Sequence, residues 1–246
     1  MIDVHDNVPQ IPVNIVDVEE ARVRSAYERR KLNIPKRRYS YFDLGNLFTV
    51  QERERRMLAL LEQHTQPPLD KLKILEVGCG TGFWLREFIK WGARPEHLVG
   101  IDLLADRVAE AKRLCPAGVT LQCGNAGQIN FPAASFDVVL QSTVFSSILD
   151  ARMKESVARE MTRVLRSGGI ILWHDFFINN PNNPDVRGIG KTEIKDLFPN
   201  CNVSSSRVTV APPLARALAG KSWALCHILA SLRVLDTHLL AVIQKK

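Results

Sequence analysis

The feature that most constrains this chain is a turn with glycines at three alternate positions, Gly78, Gly80 and Gly82. Before the turn, Lys73 to Val77 is a short, mostly apolar run that predicts a buried parallel strand. After it, Phe83 to Lys90 has the apolar spacing of a helix. Glycines let the backbone turn sharply and approach a ligand closely, and free N–H groups collect where a helix begins. The sequence therefore predicts a ligand-binding turn between a strand and a helix.

The spacing of these glycines bears on the kind of ligand. A dinucleotide fold has the pattern G-x-G-x-x-G, followed about 20 residues later by an acidic residue that holds a ribose. Here the pattern is G-x-G-x-G, and Phe83 stands where the third glycine of a dinucleotide site would be. Asp102 ends the next apolar run, Leu98 to Ile101, and a carboxylate there suits a ribose diol.

Strand and helix patterns alternate along the middle of the chain, which is typical of a doubly wound parallel sheet. Beyond the glycine turn we expect strands at Leu98–Asp102, Val119–Cys123, Phe136–Gln141 and Ile170–Trp173, with helices at Ala105–Leu114 and Ala151–Leu165. Ser167 to Gly169 is expected to turn the chain into the fifth strand.

The segment before this core is interpreted as an arm and two helices. Residues 1–16 are mixed in character and contain two prolines, so we expect a loose arm. Helices are predicted over Val18 to Lys31 and over Thr49 to His64, where Thr49 and Glu52 fit a capping box. Between the helical patterns lies a basic and then aromatic stretch: Arg29, Arg30, Lys31, Lys36, Arg37, Arg38, Tyr39, Tyr41 and Phe42. It is either a solvated face beside a packed aromatic anchor or a lid over the ligands.

The segment after the fifth strand begins with a loop, Phe176 to Gly190, that is rich in Asn, Pro and Gly. Thr192 can cap a short helix, Glu193 to Phe198. A strand at Asn202–Val210, an apolar helical segment at Leu214–Leu232 broken at Gly220, and a last strand at His238–Ile243 complete the expected order.

Composition sets broad limits on the class of protein. The 246 residues, 46% of them hydrophobic, suffice for one sizeable domain with its own core. No apolar run reaches the roughly 18 residues of a membrane span, and the acidic residues among the first twenty do not suit a signal peptide. Five cysteines without a C-x-x-C pair indicate a reduced, cytoplasmic setting. A net charge of +7 permits an anionic partner without requiring one.

The run E-V-G-C-G-T-G, together with G-I-D at residues 100–102, resembles the class I S-adenosylmethionine-dependent methyltransferases over Lys73 to Asp175. The resemblance implies an α/β, doubly wound Rossmann-like sheet of about seven strands with an antiparallel last strand, helices on both faces and an N-terminal helical lid. It implies one domain over residues 1–246: an arm and lid (1–48), a cofactor-binding core (49–175), and an acceptor-side loop, helices and closing strands (176–246).

The resemblance also implies S-adenosylmethionine as the cofactor. Free N–H groups of the turn suit its carboxylate, Glu76 its ammonium, Asp102 its ribose and Leu103 the face of its adenine. Asn125 stands where relatives often have an aspartate that accepts from the adenine amino group, and its amide oxygen can still accept. A strand terminus, a helix cap and a simple turn are the structural alternatives for Glu76, Asp102 and Asn125. The expected cofactor residues are Glu76, Gly78, Cys79, Gly80, Gly82, Asp102, Leu103, Asn125, Ala126 and Gln141.

The fifth strand ends in Trp173-His174-Asp175, at the carboxyl edge where such sheets place their ligands. His174 is the general-base candidate because its unperturbed pKa is about 6.5, although hydrogen bonds that fix it in the fold would explain it equally well. Asp175 would orient His174 or act alone. No spacing of acidic residues indicates a metal site.

Methyl transfer to a small-molecule or glycan-type acceptor, at oxygen, is the expected function. An Asn/Asp-Pro-Pro-aromatic run is absent after the fourth strand, which counts against a base amino group as acceptor, so we do not expect a nucleic-acid substrate. The acceptor residues expected at the carboxyl edge are Arg37, Arg38, Tyr39, Tyr41 and Phe145, which suit a ring that carries negative charge.

One narrower interpretation and two rival interpretations stay open. The runs R-Y-S-Y-F, W-x-D-F and A-P-P-L-A-R are similar to bacterial methyltransferases of polysaccharide or secondary-metabolite pathways. The first rival is a nicotinamide-dependent oxidoreductase, whose motif would need a third glycine where this sequence has Phe83. The second is a non-catalytic module that binds RNA or a protein partner, supported by the basic cluster alone.

Overall fold

A computed structural model describes residues 15–33 and 35–245. The arm expected over residues 1–16 lies outside the described residues as far as position 14, and the first helix begins at Ile15. The helices are α1 (Ile15–Asn33), α2 (Leu44–His64), α3 (Phe83–Lys90), α4 (Ala105–Leu114), α5 (Ala151–Val164), α6 (Lys191–Leu197), α7 (Pro212–Ala219) and α8 (Trp223–Leu232). The strands are β1 (Ile74–Val77), β2 (Leu98–Asp102), β3 (Thr120–Cys123), β4 (Phe136–Ser142), β5 (Leu165–Phe176), β6 (Cys201–Val210) and β7 (Asp236–Lys245).

The strands form a single seven-stranded sheet in the order β3-β2-β1-β4-β5-β7-β6. Strands β1 to β5 pair in parallel, and β7 lies antiparallel between β5 and β6. The chain leaves β1 toward one edge and returns to β4 on the other side of β1, so the strand order reverses there. Ligands of open α/β sheets bind in the crevice outside the carboxyl ends of the strands at such a point. The expected doubly wound sheet with an antiparallel last strand is confirmed.

Alternation along the strands divides the core into two layers. On β5, Ile171 and Trp173 face a layer that contains α5 and α6, whereas Ile170 and Leu172 face a layer that contains α2 and α3. Successive side chains of a strand point to opposite faces, so one strand supports both layers. This alternation also points the side chains of His174 and Asp175, at the end of β5, to opposite faces of the sheet.

The second helix begins earlier than its sequence pattern suggests. Asp43 caps α2, because its Oδ1 accepts from the N–H of Asn46 at 2.8 Å. The expected capping box is therefore wrong: Thr49 lies inside the helix and donates its hydroxyl to the carbonyl of Asn46, while Glu52 accepts from the N–H of Thr209. Packing explains the added turn, because Phe48 is buried against α8.

Three further expectations for the second half of the chain have mixed outcomes. Gly190, not Thr192, precedes α6, so the expected cap is wrong. Strand β5 begins at Leu165, directly after α5, and the expected turn at Ser167 to Gly169 is an irregularity in the pairing of β4 with β5. The apolar C-terminal segment does form two helices, α7 and α8, separated at Gly220. No helix in the described part of the chain is long and apolar enough to cross a membrane.

Candidate functional site

The glycine turn closes one end of a cavity at the carboxyl edge of β1 and β2. Gly78, Gly80 and Gly82 all have positive φ values, of 68°, 52° and 74°, a region that only glycine adopts without strain. A Cβ on Gly78 would collide with the side chain of Val144 in the loop after β4. The turn therefore approaches that loop as closely as its backbone allows.

Asp102 ends β2 and fixes the turn from the opposite side. Its Oδ2 accepts from the N–H of Gly80 at 2.8 Å, and its Oδ1 accepts from the N–H of Leu104 at 2.9 Å. Burial raises the pKa of this carboxyl, and the two backbone N–H groups oppose the shift. Each oxygen keeps a free lone pair, so the carboxylate can still accept from the hydroxyls of a ribose.

Glu76 is buried at the end of β1, and its Oε2 atom has no hydrogen-bond partner. Burial raises the pKa of Glu76 well above its usual range, and the charge of Asp102 adds to the rise. A buried polar atom without a partner costs free energy, and Glu76 lines the cavity. A cationic group in the cavity would supply the missing partner, so Glu76 fits the ammonium of an amino acid.

The far end of the cavity is held by Asn125, which follows β3. Its Oδ1 accepts from the N–H of Gly127 at 2.7 Å, and its Nδ2 donates to Glu20 of α1 at 2.7 Å. Asn125 thus stabilises a turn, which was the structural alternative for this residue. Its Oδ1 still has one lone pair for a second donor.

Helix α1 covers the cavity as a lid. Besides the contact of Glu20 with Asn125, Arg24 donates to the carbonyl of Leu103 at 2.7 Å. Val23 and Tyr27 of the same helix line the cavity. The N-terminal lid implied by the resemblance is therefore helix α1 itself.

We call this cavity the cofactor cleft, and its volume is about 270 Å3. Eight of the ten expected cofactor residues line it: Glu76, Gly78, Cys79, Gly80, Asp102, Leu103, Asn125 and Ala126. Gly82 and Gln141 do not. Gly82 faces Cys115 and Ala111, so it serves the packing of α3 on α4. Gln141 is fully buried, and its Oε1 accepts from the N–H of Val144, so it shapes the loop after β4.

A second, larger cavity of about 830 Å3 adjoins the first, and we call it the acceptor cleft. The two cavities share Tyr27, Thr81, Leu104, Arg107, Thr143 and Ser147. Thr143 sits at this border with a φ of 59°, a strained conformation for a residue with a branched side chain. Its carbonyl accepts from Ser147, whose hydroxyl also meets the Tyr27 hydroxyl at 3.2 Å. At this border, hydrogen bonds therefore connect the loop after β4, through Ser147, to Tyr27 of the lid helix.

The expected catalytic residues at the end of β5 line neither cleft. His174 is fully buried, and its Nδ1 lies 3.0 Å from the hydroxyl of Ser142, which does line the cofactor cleft. Burial lowers the pKa of His174 well below its usual value, helped by His238 and Arg53. His174 therefore contacts neither cleft directly. Its hydrogen bond with Ser142 connects it to the cofactor cleft.

Asp175 points to the opposite face of β5 from His174 and cannot orient it. Its carboxylate accepts from the N–H groups of Ser146 and Phe176, at 3.0 and 2.9 Å. Burial raises the pKa of Asp175 to about 6. These bonds fix the short turn after β4, so the expected catalytic role of Asp175 is replaced by a structural one.

Of the five expected acceptor residues, only Tyr39 lines a cleft, the acceptor cleft. Arg37, Arg38 and Tyr41 are exposed and line neither. Phe145 is buried, with its ring 4.5 Å from that of Trp173. The loop after β4 turns Phe145 into the core, so its expected place in the acceptor pocket is wrong.

Several lining residues have no signal in the sequence. Arg53 of α2, Thr209 of β6, Arg216 of α7 and His238 of β7 line the acceptor cleft. They come from four elements separated by long stretches of chain and follow no motif. Tyr27 could have been found, since it lies on the apolar face of the predicted first helix. Among the described residues, no group of three or more His, Cys, Asp or Glu is placed to hold a metal ion.

Comparison with known proteins agrees with this geometry. Residues 74–169 match the methyltransferase domain family. A fatty-acid O-methyltransferase of Mycolicibacterium smegmatis is 36% identical over 115 residues, which cover 45% of this chain and 39% of that protein. A tRNA N(3)-cytidine methyltransferase of Gallus gallus is 30% identical over 112 residues, covering 42% of this chain and 30% of that protein. The chain thus spans well under half the length of these relatives.

The overall fold also has solved counterparts. An S-adenosylmethionine-dependent methyltransferase of Thermotoga maritima superposes with a TM-score of 0.58 at 16% identity, over 93% of this chain and 99% of that one. Residues 74–169 therefore match a methyltransferase domain, and the chain has the fold of solved S-adenosylmethionine-dependent methyltransferases, whose cofactor is S-adenosylmethionine. The Oε2 atom of Glu76, which has no partner among the described residues, fits the ammonium of that cofactor.

Proposed function

We propose that the protein transfers a methyl group from S-adenosylmethionine to a small-molecule or glycan-type acceptor, at oxygen, bound in the acceptor cleft. The observation that carries this proposal is the shared border of the two cavities at Thr143, Ser147 and Tyr27. S-adenosylmethionine supplies an electrophilic methyl group, and an acceptor in the second cleft would approach it across that border. Holding two reactants in line supplies much of the rate of such a reaction.

Each end of the cofactor cleft has residues that suit one part of S-adenosylmethionine. Glu76 would hold the ammonium, the N–H groups of the glycine turn the carboxylate, and Asp102 the ribose. Leu103 would pack on the adenine, with Asn125 beyond it. The lid helix would exclude water from the bound cofactor, because Val23 and Tyr27 lie over the cleft.

An oxygen acceptor also needs somewhere for its proton to go. His238 lines the acceptor cleft, and burial together with Arg53 lowers its pKa to about 3. His238 is therefore neutral at physiological pH and can accept a hydrogen bond from an acceptor hydroxyl, but it is too weak a base to hold the proton, which would be released to water. We assign it as the residue that contacts the acceptor in the place first expected of His174.

Calorimetry separates this proposal from the nicotinamide alternative. We expect the purified protein to bind S-adenosylmethionine and its demethylated product, and to show no heat with a nicotinamide dinucleotide. A panel of hydroxylated small molecules and sugars, assayed for release of S-adenosylhomocysteine, then tests turnover. Binding of the dinucleotide alone would overturn the assignment, and cofactor binding without turnover on any acceptor class would favour the non-catalytic alternative.

A nucleic-acid acceptor is the second candidate, because a relative is named as a tRNA methyltransferase and because Arg37 and Arg38 are exposed. Replacing both arginines with Gln would weaken RNA binding and reduce its salt dependence. The small-molecule proposal instead requires that this double variant keep its Michaelis constant for the acceptor, since neither side chain lines the acceptor cleft.

A further inference from the structure

We propose that the acceptor carries an anionic group and that Arg53 of α2 binds it. This inference rests on the proposed function, because it gives the chemical class of the molecule that fills the acceptor cleft. It is carried by a guanidinium in that cleft that forms no ion pair with any described residue, and by an unpartnered hydroxyl that lines the same cleft.

Arg53 lines the acceptor cleft, and its Nε atom is buried without a hydrogen-bond partner. Among the described residues no carboxylate lies within 4.0 Å of its guanidinium, which instead lies over the ring of Trp84 at 5.8 Å. Trp84 lines the cofactor cleft. Arg53 is therefore a cation at the junction of the two cavities, and a guanidinium in such a place is normally paired.

The acidic residues next to Arg53 on α2 make their hydrogen bonds to other residues, although Oε2 of Glu52 is buried without a partner among the described residues. Glu52 accepts from the N–H of Thr209 at 3.2 Å, and burial raises the pKa of Glu52, which favours its neutral form. Glu54 accepts from Lys90 of α3 at 3.3 Å. Both carboxylates favour the charge of Arg53 at longer range, but neither forms an ion pair with its guanidinium, which lines the cleft.

The other cationic side chains of this cleft differ from Arg53. Lys31 is paired with Asp106 at 3.0 Å. Arg30 and Arg107 lie over the ring of Tyr27, at 5.1 and 4.7 Å. Arg216 is exposed at the mouth of the cleft. Arg53 alone among these has a buried donor atom without a partner, and it lies over a tryptophan that lines the cofactor cleft.

Thr209 adds a second unpartnered group to the lining of the same cleft. Its Oγ1 is buried without a partner, and its φ of 66° is a strained value for a residue within a strand. Strain of this kind collects at ligand sites. A guanidinium and a hydroxyl that both lack partners make a donor set for a carboxylate or a phosphate, which accept several hydrogen bonds at once. Phe176 and Tyr39 line the same cleft and suit a ring.

The test compares anionic probes with their neutral counterparts on protein saturated with S-adenosylhomocysteine. The carboxylate pair is 4-hydroxybenzoate and 4-hydroxybenzamide, and the phosphate pair is glucose 6-phosphate and glucose. We expect one anionic probe to bind at least about 10-fold more tightly than its neutral counterpart, which is the scale of a hydrogen bond to a charged group. The pair that shows the preference identifies carboxylate or phosphate as the anion.

The variants locate the preference. Arg53→Gln should remove it, Arg53→Lys should retain part of it, and Arg55→Gln should leave it intact, because Arg55 is exposed on α2 and lines neither cleft. Affinity for S-adenosylhomocysteine should be the same in all three, which shows that they fold. Failure of the wild-type protein to bind S-adenosylhomocysteine would overturn the proposed function. Normal binding without any preference for the anionic probes, or a preference that survives Arg53→Gln, would overturn the anion site alone.

Discussion

The imidazole rings of His174 and His238 stack face to face, with 4.8 Å between their centroids and 6° between their planes. His238 lines the acceptor cleft, whereas His174 lies behind it and reaches the cofactor cleft through Ser142. Burial lowers the pKa of both rings. Two neutral imidazoles therefore connect the clefts, and only one of them is placed to touch an acceptor.

We predict that His174→Ala lowers kcat more than it lowers the affinity for the cofactor. The variant removes the support of His238 and the partner of Ser142, and misplacement of a reacting group by about 1 Å can cost up to about 100-fold in rate. The measurement is steady-state kinetics beside cofactor calorimetry. Ser142→Ala should reproduce part of the loss if the route through Ser142 matters, and His174→Asn should restore part of it. Full turnover by His174→Ala would show that the ring only fills space.

We predict that Asp102→Ala weakens cofactor binding by about 2–3 kcal/mol, the scale for losing hydrogen bonds to a charged group. Gly80→Val should weaken it further, because the φ of 52° at Gly80 is strained for a branched residue and the turn would have to move. Calorimetry with S-adenosylhomocysteine measures both. Circular dichroism confirms folding, and unchanged affinity in folded samples of both variants would remove the proposed site.

We predict that cofactor binding releases a proton from Glu76. The raised pKa of the buried carboxyl favours its protonated form in the free protein, whereas an ammonium partner favours the ionised form. Affinity should therefore fall as the pH falls below the free-state pKa. Calorimetry in buffers of different ionisation enthalpy detects the proton directly. Glu76→Gln should bind more weakly and without this pH dependence, and an identical pH profile in the variant would place the ammonium elsewhere.

Elements specified by local signals could be predicted from the sequence almost to the residue. Phe83–Lys90, Leu98–Asp102 and Ala105–Leu114 match their expected bounds because glycine turns and short apolar runs set them within a few residues. The start of α2 could not be predicted in this way. Asp43 and Thr49 are both suitable caps, and the contact of Phe48 with α7 and α8, which lie far along the chain, favours the earlier one.

The two clefts differ in the same way, because local signals predict one of them and tertiary packing determines the other. Most cofactor residues follow consecutive strands, so the motif and the next two strand ends predict them together. The acceptor cleft joins Arg53, Thr209 and His238 through tertiary packing. The sequence also does not predict the direction in which a side chain points. Thr143 takes a left-handed conformation, and the turn that follows places Phe145 in the core. Polar residues at strand ends indicate an edge of the sheet, but not which cavity each side chain enters.

A final prediction concerns Asp236, at the start of β7, whose side chain is 1% exposed and has no partner for either oxygen. Burial and the nearby Glu52 raise its pKa to about 6, against an ordinary value of 3.8. The folded state then binds this proton more tightly than the unfolded state, so ionisation of Asp236 destabilises the protein at neutral pH. The penalty is complete above pH 6 and disappears as the pH falls below 3.8.

We therefore expect Asp236→Asn to raise the free energy of unfolding at neutral pH by about 1–3 kcal/mol, since each pKa unit corresponds to about 1.4 kcal/mol. The gain should shrink as the pH falls through 6 toward 3.8, which denaturant unfolding of variant and wild type at matched pH can follow. The control is Asp196→Asn, an exposed aspartate on α6, which should leave stability unchanged at every pH. A gain that is the same at all pH values would mean that the ionisation of Asp236 is not its source, and a loss at neutral pH would mean that its charge is needed by the arginines around it.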